Sequence, residues 1–203
     1  RDAVLDQIRA MGADVVCLQE AYEHRGSPPF VNAKMIQAAT GLKNVHSFFE
    51  QDTRKRESFG VMTLTRLPIV GRSRLRFDED PGNGAVITDV LFEGDTVRII
   101  NAHLSSIGLG KSEIDAVRDG PDRASSQRLW SRLSNAWKKR ANQAHRVASE
   151  VTSSPYPVVL CGDFNDPPMS YALEVLRAAH LSDSFAEAGT GFGGTYIGDL
   201  PSL

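Results

Sequence analysis

The chain has 203 residues, of which 41% are hydrophobic and 24% are charged, and its formal net charge is −2. This length and composition fit one globular domain with a substantial core. The small negative charge excludes a general electrostatic attraction to nucleic acid or to an anionic membrane, so that any such attraction must come from local basic patches. No apolar stretch reaches the roughly 18 residues that a transmembrane helix needs.

The chain opens with a helix followed by a buried strand. An apolar stripe of helical spacing over residues 4–11 predicts a helix, with Asp2 as its N-cap and Gly12 as its end. The apolar run that follows it predicts a strand over residues 14–20. This strand ends on the carboxylate of Glu20, which would be an ordinary surface charge if it stood alone.

A short helix predicted at about 32–40 leads into a series of strands. Their predicted ranges are 44–50, 59–65, 69–77, 85–92 and 96–104. The segment from Phe92 to Thr96 contains Glu93-Gly94 and predicts the hairpin turn that joins the last two strands. In the last strand, the alternation of side chains places Asn101 and His103 on the same face.

The second half of the chain contains one long helix. Residues 105–124 form a polar, Gly-rich insertion without periodicity, and the apolar stripe that follows predicts an amphipathic helix over 125–151. Trp130 and Trp137 are seven residues apart and therefore share a face of this helix, where we expect them to pack in the core. We expect the basic run Lys138-Lys139-Arg140 to lie on the solvent face.

The most informative segment is the apolar run from Val158 that ends in Gly162-Asp163-Phe164-Asn165-Asp166. It predicts a buried strand, and a side-chain period of two would place Asp163 and Asn165 on one side of the extended backbone. The alternative is a strand that ends in an Asx turn. Asp166 is expected to be a cap or turn residue for the segment that follows. After this strand we predict a helix at 171–179 and a Gly-rich loop from Leu181 onward.

Three predicted strands therefore end in polar residues, namely Glu20, the pair Asn101 and His103, and the pair Asp163 and Asn165. Carboxylate oxygens suit Mg²⁺, which keeps most of its water ligands and takes only one or two protein carboxylates. Amide and imidazole groups can hydrogen-bond phosphate oxygens. Together, these strand ends predict a site that combines a hard cation with a phosphate group.

The motifs Leu18-Gln19-Glu20, Asn101-Ala102-His103-Leu104 and Gly162-Asp163-Phe164-Asn165-Asp166, in this order, resemble the endonuclease/exonuclease/phosphatase superfamily. The resemblance implies an α/β fold, a four-layer sandwich in which two mixed, mostly antiparallel sheets pack face to face with helices outside, as in DNase I. It implies an enzyme that hydrolyses a phosphodiester or phosphomonoester by in-line attack of an activated water, with Mg²⁺ or Mn²⁺ as the cofactor.

The resemblance also implies roles for individual residues. Glu20 is expected to hold the metal, while Asp163 activates water, and Asn165 and His103 stabilise the phosphoryl oxygens. Residues expected to bind substrate are Asn101, Arg54 and Arg56. The basic run Arg54-Lys55-Arg56 would bind a substrate phosphate electrostatically. The alternative is that it forms a solvated loop.

The substrate stays open between nucleic acid, lipid and inositol phosphate, and the sequence indicates no obligate protein partner. Relatives in this superfamily begin with a strand that supplies a metal-binding Asn and end with a Ser-Asp-His motif, and neither is found here. We therefore expect residues 1–203 to form a single domain of this family that is incomplete at both ends, with an upstream segment removed. A binding or scaffold module without turnover is the alternative function.

Overall fold

A computed structural model of the chain describes residues 2–24, 30–52, 57–78, 80, 82–108 and 123–191. Within these residues no helix is both long and apolar enough to cross a lipid bilayer. The helices and strands are α1 (Asp2–Met11), β1 (Val15–His24), β2 (Phe30–Val31), α2 (Asn32–Thr40), β3 (Asn44–Asp52), β4 (Glu57–Thr65), β5 (Ile69–Arg76), β6 (Gly84–Phe92), β7 (Asp95–His103), α3 (Arg123–Thr152), β8 (Val158–Asp163), α4 (Tyr171–Ala178) and α5 (Ser184–Ala188).

The strands form two four-stranded sheets with the orders β2-β1-β4-β3 and β5-β6-β7-β8. All pairs are antiparallel except β7 with β8, which are parallel. The predicted α/β fold with two mostly antiparallel sheets is therefore confirmed, and among the described strands only the second sheet is mixed. The single parallel pair matters for function, because it places the carboxyl ends of β7 and β8 side by side.

The chain divides into two compact units, one of Arg1–Leu104 with Ser153–Asp163 and the other of Ser105–Thr152 with Phe164–Leu203. Both sheets belong to the first unit. The assignment of residues 1–203 to a single domain stays a prediction.

The first unit has apolar side chains on both faces of its first sheet. On one face α1 and α2 pack through a cluster that includes Ile8, Ile36 and Met62. On the other face Val61 of β4 meets Val86 of β6, and this contact joins the two sheets. Successive residues of β4 thus serve opposite faces, as the pleat of a strand dictates.

The ends of α1 and α2 and the turn between β6 and β7 lie where the sequence predicts them. Gly12 and Gly41 end α1 and α2 with φ angles of 57° and 73°, and Glu93 and Gly94 form the hairpin turn with φ angles of 52° and 95°. These left-handed conformations suit glycine, which has no Cβ to clash with the backbone.

The second unit contains α3, α4 and α5. Helix α3 packs against α4, where the Nε2 atom of His145 lies 3.0 Å from the hydroxyl of Tyr171. The predicted loop from Leu181 is wrong in part, because α5 begins at residue 184. Asp183 caps it by accepting hydrogen bonds from the amides of Phe185 and Ala186, and a hydrogen bond from Arg177 holds the pKa of this carboxyl below its ordinary value.

Two predictions about α3 are wrong. Trp130 and Trp137 share a face and meet edge to face, but they are 65% and 44% exposed rather than packed in the core. Arg140 is 1% exposed, although it belongs to the basic run that was expected on the solvent face. Lys138 is exposed as expected. The helical period predicts correctly which residues share a face of the helix. Whether that face is buried depends on the elements that pack against it.

Candidate active site

The ends of β7 and β8 form the centre of the candidate site. In this parallel pair His103 is in register with Asp163, and the amide of Leu104 donates a hydrogen bond to the carbonyl of Asp163 over 2.9 Å. Residues that are in register on neighbouring strands project to the same side of the sheet. The imidazole of His103 and the carboxylate of Asp163 are therefore neighbours on one face.

Gly162 makes this pairing possible. A Cβ at position 162 would stand 1.9 Å from the carbonyl oxygen of Ala102 on β7, far inside van der Waals contact. Only glycine allows the two backbones to approach this closely. The glycine before Asp163 thus has a definite structural purpose, which is to bring that carboxylate beside the end of β7.

The side chain of His103 has a buried nitrogen that no described residue hydrogen-bonds. The residue is 8% exposed, and among the described residues its Nε2 atom has no hydrogen-bond partner. Nearly all buried polar atoms in folded proteins are paired, so that such an atom is a candidate for a contact with an ordered water, an ion or a ligand. A phosphate oxygen would satisfy this nitrogen, which supports the role expected of His103.

Glu20 lies in a β-bulge of β1. Leu18 pairs with Met62 and Ala21 pairs with Gly60, which leaves Gln19 and Glu20 together opposite Val61. Glu20 has a φ of 52° and is exposed. Such a conformation is uncommon for a residue with a side chain, and bulges of this kind re-aim side chains next to functional sites. Nothing in the residue pattern of β1 predicts this bulge.

Asn101 contacts the bulge from the second sheet. It is completely buried, its Oδ1 accepts a 2.7 Å hydrogen bond from Nε2 of Gln19, and its Nδ2 donates to the carbonyl of Met62 over 3.1 Å. The predicted shared face of Asn101 and His103 is in keeping with their places on β7. The predicted contact of Asn101 with substrate stays a prediction.

Asn165 belongs to the second unit and has a φ of 53°. Strand β8 ends at Asp163, so that the alternation of an extended backbone does not continue to Asn165. The prediction that the alternation of side chains along an extended strand places Asp163 and Asn165 on one side is therefore wrong. The role of Asn165 stays a prediction that rests on its position in the motif.

The residue after it, Asp166, is buried rather than a simple turn residue. Its Oδ1 lies 2.9 Å from Nη2 of Arg140, and the side chains of Arg140 and Asp166 are 1% and 4% exposed. The contact is an ion pair without hydrogen-bond geometry, and Nε of Arg140 has no hydrogen-bond partner among the described residues. Nη1 of Arg140 donates to the carbonyl of Ser105 over 3.1 Å, and Gln143 bonds both the amide and the hydroxyl of Ser105.

This buried network anchors the end of the Gly162–Asp166 motif to α3. The sequence signal that could have found it is the spacing of Arg140 and Gln143, which places both on one side of the helix. Arg54 and Arg56, the other expected substrate contacts, lie outside the described residues.

The fit of a divalent cation rests on carboxylates. Across the described ranges, no three His, Cys, Asp or Glu side chains come together to hold a metal. Mg²⁺ does not need such a cluster, because it binds through one or two carboxylates and keeps its waters. Glu20 and Asp163 are both exposed carboxylates, and β1 contacts both β7 and β8. The donor set therefore fits a hard cation held mainly by water and Glu20.

The chain is similar in sequence to a known protein family. The sequence model of the endonuclease/exonuclease/phosphatase family matches residues 1–202. No curated protein matches the chain by sequence.

Several solved structures share the fold. An endonuclease/exonuclease/phosphatase from Beutenbergia cavernae has a TM-score of 0.65 and 21% identity, over 90% of this chain and 49% of that one. Sphingomyelinase C from Streptomyces griseocarneus has a TM-score of 0.56 and 20% identity, over 86% and 61%. Humanized D. rerio TDP2 has a TM-score of 0.55 and 16% identity, over 86% and 58%. The chain thus spans roughly half to three fifths of the length of these proteins.

Proposed function

The chain belongs to the endonuclease/exonuclease/phosphatase family, and from this premise we propose that it is a divalent-metal-dependent phosphoesterase. The reaction is hydrolysis of a phosphodiester or phosphomonoester by in-line attack of an activated water. The observation that carries the proposal is the buried Nε2 of His103, which has no hydrogen-bond partner in the part of the chain that the structure describes, on a residue in register with Asp163.

Each residue of the site has its own role in the proposed reaction. Asp163 orients or deprotonates the attacking water, since an exposed carboxylate at a strand end can accept a proton. His103 donates a hydrogen bond to the charge that builds on the phosphoryl oxygens, and Asn165 does the same on the strength of its motif position. Glu20 would hold Mg²⁺ or Mn²⁺, which when bound would supply neutralisation of the charge on the phosphoryl oxygens and the leaving group.

The proposed substrate class is phosphate esters, without a choice between nucleic acid, lipid and inositol phosphate. A sphingomyelinase and an endonuclease/exonuclease/phosphatase have similar folds, and one fold supports many substrates through its loops. Arg54 and Arg56 are proposed to contact a substrate phosphate away from the reacting one. With a net charge of −2, such local contacts would have to supply the attraction to a polyanion.

The metal assignment predicts that Glu20→Gln weakens Mn²⁺ binding by at least about tenfold, because the loss of even an outer-shell partner typically costs about 10–100-fold in affinity. Isothermal titration calorimetry with Mn²⁺ measures this. Glu93→Gln is the matched control, because Glu93 is also exposed and has the same φ of 52° but lies in the hairpin turn. Equal affinities in the two variants would remove Glu20 from the metal site.

Turnover is tested with bis(4-nitrophenyl) phosphate and 4-nitrophenyl phosphate, in Mn²⁺ and after chelation by EDTA. The proposal expects metal-dependent release of nitrophenol from at least one of them. Binding of phosphate esters without release, both by this chain and by longer polypeptides that contain it, would instead favour the module without turnover.

A further inference from the structure

The bulge that carries Glu20 is held from the opposite sheet. In addition to the carbonyl of Met62, Nδ2 of Asn101 lies 3.3 Å from the carbonyl of Leu18. Leu18 and Met62 are the last regular pair of β1 and β4 before the bulge. The amide of Asn101 therefore donates to the carbonyls of both members of this pair, at the point where the regular ladder between the strands ends.

The other end of the same amide holds the bulged residue itself. Oδ1 of Asn101 accepts a hydrogen bond of 2.7 Å from Gln19, the residue before Glu20. One fully buried side chain thus contacts the last regular pair before the bulge and one of the two residues within the bulge. A left-handed conformation at Glu20 costs free energy, and such conformations persist where the surroundings determine them.

We propose that Gln19 and Asn101 are positioning residues, which fix the bulge and thereby set where the carboxylate of Glu20 points. Asn101 acts from inside the protein, since it is completely buried and both ends of its amide are engaged. The inference rests on the proposed function for the role of Glu20 as a metal ligand. The fixing of the bulge rests on the hydrogen bonds alone.

The test removes the donor of Gln19 in two ways. Gln19→Met keeps the volume of the side chain, and Gln19→Glu keeps its shape, but neither can donate to Asn101. The control is Thr88→Val, which deletes another hydrogen-bonding group of the first unit, a fully buried hydroxyl 2.8 Å from Nδ1 of His46. Hydrogen–deuterium exchange of peptides that cover residues 19–21 reports on the bulge, and calorimetry with Mn²⁺ reports on Glu20.

We expect both Gln19 variants to exchange faster at residues 19–21 than Thr88→Val and to bind Mn²⁺ about 10–100-fold more weakly, as outer-shell changes do. Exchange and Mn²⁺ affinity equal to those of Thr88→Val would overturn the inference. If Glu20→Gln binds Mn²⁺ like the wild type, the metal role proposed for Glu20 fails. Exchange at residues 19–21 then decides alone whether the pair fixes the bulge.

Discussion

Asp163→Asn is expected to lower kcat/KM for phosphate-ester hydrolysis by about 10²–10⁴, which is the usual contribution of a positioned general base. Asparagine keeps the shape of the side chain but removes its charge and basicity. The backbone contact that aligns β8 with β7 runs from the amide of Leu104 to the carbonyl of residue 163 and is kept. Initial rates with bis(4-nitrophenyl) phosphate in saturating Mn²⁺ measure the effect.

The matched control is Asp89→Asn. Asp89 is on strand β6 of the same sheet, and its carboxylate receives hydrogen bonds of 2.8 and 3.0 Å from Arg98. This variant removes the charge of a hydrogen-bonded carboxylate away from the strand ends, and we expect it to keep its activity. Activity of Asp163→Asn within a few-fold of the wild type would remove Asp163 from the chemistry.

Arg140→Met is expected to lower the free energy of unfolding by about 3–5 kcal/mol, because removal of one partner leaves the other charge of a buried pair uncompensated. The carboxylate of Asp166 would remain 4% exposed without its cation, and the carbonyl of Ser105 would lose a donor. Urea denaturation followed by circular dichroism measures the change. Lys138→Met on the same helix is the control, and as an exposed position it should change stability by less than about 0.5 kcal/mol.

The double variant Arg140→Met/Asp166→Leu distinguishes the effect of losing the ion pair from the effect of losing packing contacts. With both charges replaced by apolar groups, we expect most of the lost stability to return, since buried ion pairs are often equalled by apolar side chains. A double variant no more stable than Arg140→Met would show that the ion pair is not the source of the effect.

The features that the sequence predicts best are those determined by residues that are close together in the chain. Gly12 ends α1, and Glu93-Gly94 turns the chain between β6 and β7, as predicted. These features depend on local φ preferences and on caps, which a few neighbouring residues determine. The motif order also predicted the family, which the match over residues 1–202 confirms.

Features that depend on a distant partner could not be predicted. The bulge at Gln19 and Glu20 exists only relative to the register of β4. Arg140 is buried because Asp166 and Ser105 contact it, although it belongs to a run of three basic residues. The short helix after Asp183 was missed for another reason, because five residues are too few to show a helical period.

The central claim is that the strand ends of β7 and β8 bind and polarise a phosphate ester, and His103 tests it most directly. His103→Leu removes the orphaned nitrogen, and His46→Leu removes another histidine of the first unit, whose Nδ1 lies 2.8 Å from the hydroxyl of Thr88. We predict that kcat/KM for Mn²⁺-dependent hydrolysis of bis(4-nitrophenyl) phosphate falls by about 10²–10³ in His103→Leu, as for the loss of one transition-state donor. The activity of His46→Leu should stay near that of the wild type. Equal activities of His103→Leu and the wild type would contradict the assignment of this site.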